Sequence, residues 1–123
     1  MAETILIVDD EPEMVEFLET LLTLKGYPTL DAYSGAEGLR KARRQGPDLI
    51  LLDLSLPDAD GLQILKTLRG EERTAVIPVL VVSGKDNPRV RMDSLQAGAD
   101  AFLLKPFHPQ ALLDEIEDKL KEE

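Results

Sequence analysis

Four short, continuous runs of apolar residues constrain the fold of this chain more than any other feature of its sequence. They lie at residues 5–8, 49–52, 79–82 and 101–104. Runs so short are typical of strands, and the lack of polar residues inside them indicates that both faces of the sheet are covered. Residues 29–33 are a weaker fifth candidate. The sequence therefore predicts a sheet of five strands, most of them buried.

Apolar residues at helical spacing occupy the stretches that separate and follow these runs. The first stretch carries Leu18 and Leu22, and the fourth carries Val90, Leu95 and Ala97. A glycine follows each of the first four stretches, where a left-handed residue commonly ends a helix: Gly26, Gly46, Gly70 and Gly98. Because each helix returns the chain across the sheet, the next strand is parallel. We predict an α/β fold, a three-layer, doubly wound, parallel sheet of five strands with five helices.

Length and charge exclude several classes of protein. With 123 residues the chain has room for one domain, and its lack of cysteine excludes a disulfide scaffold and cysteine-ligated zinc. The formal net charge of −10 has the wrong sign for direct binding to nucleic acid. No apolar run approaches the roughly 20 residues that span a bilayer, and no signal peptide is evident. We therefore expect a cytoplasmic protein without a membrane segment.

Polar residues follow four of the predicted strands, at the points where these strands end. They are Asp9, Asp53, Ser83 and Lys105, and Asp10 comes directly after the first. Ligands of doubly wound sheets bind beyond the carboxyl ends of the strands, so we expect these side chains to converge at one edge. Carboxylate oxygens suit Mg²⁺, which leaves some of its positions to water or to a substrate phosphate. The sequence thus predicts a divalent cation site at this edge.

Each of these residues also has an ordinary structural interpretation. Asp9 or Asp10 could cap the first helix, because a glutamate and a proline follow them. Asp53 could be a turn residue, and so could Ser83 before its glycine. Their occurrence together favours the site, because chance turn residues would seldom supply three acids, a hydroxyl and a lysine at four strand ends.

Four segments of the chain match one family in order and in spacing. They are residues 8–11 (VDDE), 53–61 (DLSLPDADG), 83–84 (SG) and 98–106 (GADAFLLKP). On these motifs the chain resembles a response-regulator receiver domain, similar to the chemotaxis regulators, over residues 1–123 and with no output domain. The resemblance implies a flavodoxin-like sheet with strand order 2-1-3-4-5 and a phosphorylation-dependent switch in a two-component phosphorelay.

The resemblance also implies how the site accepts a phosphoryl group. The donor would be a histidine kinase or a histidine phosphotransfer protein, and the acceptor would be Asp53. Four groups would hold Mg²⁺, or Mn²⁺ in its place: the carboxylates of Asp9, Asp10 and Asp53 and the backbone carbonyl of Ser55. The phosphoryl group would be bound by Lys105, Ser83 and Gly84.

Further positions receive roles from the same resemblance. Ser83 and Phe102 would be the switch residues, and their movement would reshape the surface of the fourth helix, fifth strand and fifth helix. Ser55 and Lys85 stand where the family's side chains tune the lifetime of the phosphate. The Lys105–Pro106 peptide bond would be cis. Two ordinary alternatives are open: Phe102 as a core aromatic and Lys85 as a solvated loop charge.

Contacts with other proteins are less sharply defined by the sequence. Phe17 widens the apolar arc of the first helix. Because receiver domains commonly dock their phosphodonor near this helix, the resemblance makes Phe17 a candidate contact for the donor kinase; the alternative is that it packs in the core. The surface of the fourth helix, fifth strand and fifth helix is where we expect a homodimer or a downstream target to bind.

Two other functions are open at this point. One is a Mg²⁺-dependent phosphatase or dehalogenase with an aspartate nucleophile, although that superfamily has Asp-x-Asp where this chain has Asp53 and Ser55. The other is an interaction module that works without phosphorylation, and the full set of polar site residues argues against it. We expect a chain that modifies only itself, by phosphorylation and dephosphorylation, and not an enzyme with steady turnover.

Overall fold

Strands and helices alternate along the chain. The structure is a computed structural model and describes residues 2–85 and 87–121. The strands are β1 Ile5–Val8, β2 Thr29–Ala32, β3 Leu49–Asp53, β4 Val79–Ser83 and β5 Ala101–Leu104. The helices are α1 Pro12–Leu24, α2 Gly35–Gln45, α3 Gly61–Gly70, α4 Pro88–Gln96 and α5 Pro109–Lys121. Every predicted element is present, and β3 and β4 extend slightly further than predicted, to include Asp53 and Ser83.

The strands form one parallel sheet in the order β2-β1-β3-β4-β5, as the resemblance implied. Strand β2 lies on one side of β1, whereas β3, β4 and β5 follow one another on its other side. The direction in which the chain adds strands therefore reverses between β1 and β3. Sheets of this kind bind ligands in the crevice beyond the carboxyl ends of those two strands. Asp9 follows β1 and Asp53 ends β3, so both stand at that crevice.

Alternation of side chains along each strand divides the core into two layers. Ile7 and Leu51 belong to the cluster that packs against α1 and α5. Their neighbours Val8 and Leu52 belong to the cluster that packs against α2 and α3. Strands β1, β3 and β4 are buried along their whole length, whereas the edge strand β2 is half-buried except at Ala32. The predicted three-layer fold is therefore confirmed.

Helix α4 departs from the prediction. Val90 and Ala97 are half-buried against the core, but Leu95 is 48% exposed, so the predicted apolar face was wrong at that residue. Within the described part of α4, Ser94 is the one buried residue. Because α4 packs mainly on the edge strand β5, the face that it can bury is narrow. None of the helices in the described ranges combines the length and the apolar content needed to cross a membrane.

Glycine ends three of the four helices in the predicted way. Gly26, Gly46 and Gly98 have φ angles of 89°, 54° and 109°, in the left-handed region. The prediction for Gly70 was wrong, because this residue closes α3 without a positive φ and the chain then turns extended. A side chain satisfies the end of α3 instead: the Thr74 hydroxyl donates to the Leu68 carbonyl at 2.6 Å.

Candidate functional site

Asp9 and Asp53 lie side by side because β1 and β3 are neighbours in register. Val8 is aligned with Leu52, so the residue that follows each of them reaches the same level of the sheet. Both carboxylates are buried, with 3% of Asp9 and 5% of Asp53 exposed. Two buried anions in contact with each other require a compensating positive charge.

Lys105 supplies that charge from the far side of β4. Its Nζ lies 3.1 Å from Asp9 Oδ2 and 3.3 Å from Asp53 Oδ2, and the exposed Glu11 Oε1 is 3.5 Å away. Residues two apart along a strand point to the same face of the sheet. Lys105 therefore starts on the face of Leu103, which is also the face of Ile7 and Leu51 and hence of Asp9 and Asp53. The peptide bond from Lys105 to Pro106 is cis, as the resemblance implied.

Burial and charge shift the pKa values of this cluster. Burial raises the pKa of Asp53, and the Ser55 N–H and the Lys105 ammonium offset that rise only in part. Burial lowers the pKa of Lys105, but the charges of Asp53 and Asp9 outweigh it, so the net shift is upward. Lys105 is therefore an ammonium at neutral pH, and an additional cation at this edge would favour ionised Asp53.

Three acidic residues meet at this edge as the sequence predicted. Asp9, Asp10 and Asp53 each offer a carboxylate oxygen, and the three oxygens lie within 4.8 Å of one another. Asp9 Oδ1 accepts a hydrogen bond from the Glu11 N–H at 2.9 Å, which fixes its orientation, while Asp10 is exposed. Glu11 takes the N-cap position of α1, so capping of that helix does not account for the two aspartates. Hard carboxylate donors open to solvent on one side fit Mg²⁺.

Ser55 fixes the carboxylate of Asp53 through its backbone. The Ser55 N–H donates to Asp53 Oδ1 at 3.1 Å, and Ser55 pairs with Asp60 in an antiparallel bridge that closes the β3–α3 loop. Gly61 donates its N–H to the Leu54 carbonyl at 3.0 Å, and a Cβ at Gly61 would overlap the Leu54 backbone. The base of the loop is therefore narrow, and glycine is required there.

Asp58 is a residue of this loop that the sequence analysis missed. Its Oδ1 accepts from the Gly35 N–H at 2.8 Å and its Oδ2 from the Ala36 N–H at 3.1 Å, both at the N-terminus of α2. These two hydrogen bonds lower the pKa of Asp58. An acidic residue in a predicted turn was the only signal, and nothing in the sequence pairs position 58 with position 35.

Ser83 lies at the end of β4, the strand between β3, which ends in Asp53, and β5, which Lys105 follows. It ends β4, is fully buried, and is aligned with Leu104 of β5. Its hydroxyl accepts from the Lys85 N–H at 3.1 Å, and among the described residues it makes no hydrogen bond to Asp53. Gly84 and Lys85 follow it and are exposed. The predicted residues are thus adjacent, with the hydroxyl bonded to its own loop.

Phe102 lies beneath a cation that the sequence analysis did not pair with it. The ring is half-buried on β5, aligned with Val81, and the Arg91 guanidinium carbon is 5.0 Å from its centroid. Both residues line a surface pocket of about 250 Å³ next to Lys85. At this distance the pair is a cation–π contact. Phe102 is therefore a partly exposed aromatic at the surface of α4 and β5, not a fully buried core residue.

Phe17 faces outward from α1. Its side chain is 44% exposed and that of Leu24, further along the same helix, is 79% exposed. Packing in the core therefore does not account for Phe17.

Known proteins are similar to this chain in both sequence and fold. The model of the response regulator receiver domain matches residues 5–117. Response regulator GtcR of Aneurinibacillus migulanus is 36% identical over 121 residues, which are 98% of this chain and 49% of that protein. The alkaline phosphatase synthesis transcriptional regulatory protein PhoP of Bacillus subtilis is 39% identical over 110 residues, 89% of this chain and 45% of that protein. The chain spans about half the length of the curated relatives that it matches.

Two solved structures are similar over nearly the whole chain. A putative response regulator from Chloroflexus aurantiacus superposes with a TM-score of 0.93 at 33% identity, covering 98% of both chains. The receiver domain of sensor histidine kinase PA1611 from Pseudomonas aeruginosa, solved with a magnesium ion coordinated in its active site cleft, superposes with a TM-score of 0.90 at 29% identity and 98% coverage of both chains. Sequence, strand order and fold agree, and this chain belongs to the response regulator receiver domain family.

Proposed function

We propose that this receiver domain is switched by a phosphoryl group that Asp53 accepts, in the presence of Mg²⁺, from a histidine kinase or a histidine phosphotransfer protein. One observation carries the proposal: the Lys105 ammonium lies 3.1 Å and 3.3 Å from two buried carboxylates at neighbouring strand ends. A structural ion pair would need one carboxylate, whereas phosphoryl transfer needs a nucleophile, a cation site and a positive charge together.

The donor set supports a cation beside the nucleophile. Asp9, Asp10, Asp53 and the Ser55 carbonyl would hold Mg²⁺, or Mn²⁺ in its place. When bound, the ion supplies positive charge that offsets the repulsion between a carboxylate and an incoming phosphoryl anion. No cysteine or second histidine is available in the sequence, which fits a hard, oxygen-ligated cation.

Asp53 performs the transfer as an ionised carboxylate. One of its oxygens forms the new P–O bond while the P–N bond of the donor phosphohistidine breaks, so no general base is needed. The Ser55 N–H holds Oδ1 during attack. Lys105, already in contact with Oδ2, exchanges that carboxylate for a phosphoryl oxygen. The product is an acyl phosphate, and its slow loss to water returns the domain to its starting state.

The switch requires several groups to act together. Phosphorylation adds roughly −1.5 to −2 charges, and a charge-assisted hydrogen bond contributes about 1.5–3 kcal/mol. Reversing a two-state equilibrium from 1:99 to 99:1 requires about 5.5 kcal/mol, so Ser83 alone is insufficient. We expect the Ser83 hydroxyl to move inward and donate its proton to a phosphoryl oxygen, which Lys105 and Gly84 also bind, and Phe102 to move into the vacated space.

The surface that responds is formed by α4, β5 and α5. Helix α4 buries little of itself, and Met92 and Leu95 on it are exposed, which supports a contact surface for a homodimer or a downstream target. Exposed Phe17 on α1 is the proposed contact for the donor. Phe17→Ala should slow transfer from a phosphohistidine protein but not from acetyl phosphate, whereas Val76→Ala, which truncates an exposed side chain elsewhere, should slow neither.

Incubation with acetyl phosphate and Mg²⁺, followed by intact-mass measurement, tests the proposal. We expect a gain of one phosphate in the wild type and none in Asp53→Asn. Asp48→Asn is the matched control, because this exposed carboxyl lies before β3, at the other edge of the sheet, and should be phosphorylated normally. A phosphate retained in Asp53→Asn, or a wild type that stays unmodified, would overturn it. Steady turnover of a small phosphoester would instead indicate a phosphatase.

A further inference from the structure

The β3–α3 loop, residues 54–60, is attached to two different helices by two aspartates. Asp60 Oδ1 accepts from the Leu62 N–H at 3.0 Å and so caps α3, the helix that the loop itself begins. Asp58 reaches instead to α2, where it accepts from the Gly35 and Ala36 N–H groups at 2.8 Å and 3.1 Å. The first attachment is local, and the second joins segments that are far apart in the sequence.

The loop carries the backbone that orients the nucleophile. Ser55 donates to Asp53 Oδ1 at 3.1 Å and is paired with Asp60, so the segment 55–60 folds back on itself with Asp58 near its tip. Its base is closed by the Gly61 N–H bond to Leu54. A displacement of the tip is therefore transmitted to Ser55 through a short, closed loop.

The N-terminus of α2 packs tightly against the same loop. A Cβ at Gly35 would lie 2.9 Å from the Ile64 side chain and 3.1 Å from that of Ala59, which is closer than ordinary contact. Glycine at this position lets the helix end approach the loop closely enough for both of its first N–H groups to reach Asp58. Close packing and paired hydrogen bonds thus support the same attachment by independent observations.

We propose that Asp58 is a positioning residue for phosphorylation: by fastening the β3–α3 loop to the N-terminus of α2, it holds the Ser55 backbone against Asp53 and at the cation site. The inference rests on the proposed function of Asp53. Coupling of this kind is reciprocal, so a ligand that orders the loop also protects the Gly35 and Ala36 amides from exchange.

Two substitutions at Asp58 and one at the N-cap of α2 separate positioning from helix stability. Asp58→Ala removes both carboxylate oxygens that accept hydrogen bonds from α2. Asp58→Asn keeps one side-chain oxygen in a similar position. Ser34→Ala is the matched control, because the Ser34 hydroxyl caps the same helix by accepting from the Glu37 N–H at 3.2 Å, within α2 itself. All three variants lose at least one hydrogen bond at the start of α2, but only the two Asp58 variants weaken the attachment of the loop.

The measurements are amide hydrogen exchange in the metal-free protein and Mg²⁺ affinity by NMR titration. In Asp58→Ala we expect faster exchange at Ser55 and about tenfold weaker Mg²⁺ binding, as for other residues that orient metal ligands. Asp58→Asn should lie between this variant and the wild type. Ser34→Ala should leave Ser55 exchange and Mg²⁺ affinity unchanged.

Failure of this inference and failure of the proposed function give different results. Unchanged Ser55 exchange and unchanged Mg²⁺ affinity in Asp58→Ala would overturn the positioning role, even if the wild type is phosphorylated on Asp53. Equal losses in Ser34→Ala and Asp58→Ala would also overturn it, because helix stability would then explain both. A wild type that is never phosphorylated would reject the function, while the exchange data would still measure the coupling between Asp58 and Ser55.

Discussion

Arg69 and Lys105 each join distant segments of this protein, but they lie at opposite edges of the sheet and bind different partners. Arg69 lies at the amino edge, where the strands begin, and Lys105 lies at the carboxyl edge, where the strands end. At the amino edge, Arg69 donates to the carbonyls of Gly98, Ala75 and Ile77 and to Asp100, at distances of 2.8–3.2 Å. At the carboxyl edge, the Lys105 ammonium faces three carboxylates, those of Asp9, Asp53 and Glu11.

The difference shows which edge can exchange partners. The planar guanidinium of Arg69 is bound by four acceptors of matching geometry, and a Cβ at Gly98 would lie 2.8 Å from Arg69 Cγ, so the side chain is tightly packed on that side. Lys105 is a point charge on a flexible chain, surrounded by more negative charge than it can neutralise. We infer that the amino edge is built for stability and the carboxyl edge for binding a further cation and an anion.

The largest expected effect is on the chemistry of the carboxyl edge. Lys105→Met keeps the length of the side chain and removes its charge, so the phosphoryl group loses a preorganised cation. We expect phosphorylation by acetyl phosphate to slow by about 100-fold, the usual effect of removing one such group. Intact-mass time courses measure the rate, and Lys66→Met on the exposed face of α3 is the control. A rate within twofold of the wild type would contradict the role of Lys105.

A substitution of Arg69 tests the amino edge. Arg69→Ala leaves buried or half-buried carbonyls of two loops without a donor, and we expect it to reduce the free energy of unfolding by about 2–4 kcal/mol. Urea denaturation measures this change, with Arg40→Ala on the exposed face of α2 as the control. Acetyl phosphate should still modify the folded variant at the wild-type rate. If Arg69→Ala slowed phosphorylation as strongly as Lys105→Met, the two edges would not be separate.

Burial of Asp53 makes the stability of the carboxyl edge depend on pH. Burial raises the pKa of Asp53 above its usual value, so the ionised group destabilises the folded state at pH values above the folded pKa. This penalty disappears as the pH falls through the folded pKa and below the unfolded pKa of about 3.9, because the carboxyl is then protonated in both states. Without Mg²⁺, Asp53→Asn should therefore be more stable than the wild type at neutral pH, and the gap should close in acid.

Urea midpoints from neutral pH to about pH 3, which lies below the unfolded pKa, measure this dependence. Asp10→Asn is the control for burial, because Asp10 carries the same charge in an exposed position and should change stability less. Addition of Mg²⁺ should stabilise the wild type and not Asp53→Asn, by mass action on the folded state. A wild type more stable than Asp53→Asn at neutral pH without Mg²⁺ would show that burial does not dominate at Asp53.

The two edges also differ in how far the sequence predicts them. Asp9, Asp53, Ser83 and Lys105 could be predicted because each follows an apolar run, and strand ends meet wherever parallel strands pair. The contacts of Arg69, Asp58 and Arg91 could not be predicted, because they depend on the path of loops and on the rotation of helices, which hydrophobic periodicity does not specify. The errors at Gly70 and Leu95 have the same origin: a hydroxyl from a later turn ends α3, and α4 packs on an edge strand.

The smallest expected effect is on the lifetime of the phosphate at the carboxyl edge. Lys85 is exposed, and its backbone N–H, rather than its side chain, binds the Ser83 hydroxyl. Lys85→Ala keeps that backbone bond and removes only the ammonium, which we expect to pair with the phosphoryl group and hinder water. Because exposed ion pairs contribute about 0.2–1 kcal/mol, the acyl phosphate should decay faster in the variant by a factor of about 1.4 to 5.

Decay of the phosphorylated protein after removal of acetyl phosphate measures this lifetime. Lys25→Ala, an exposed lysine just after α1, is the control and should decay as the wild type does. Ser55, the other position proposed to tune the lifetime, has an exposed side chain, so Ser55→Ala should leave the backbone bond to Asp53 intact. Equal decay in the wild type and Lys85→Ala would make Lys85 a solvated loop charge, and the proposed action of a lysine on the phosphate would then rest on Lys105.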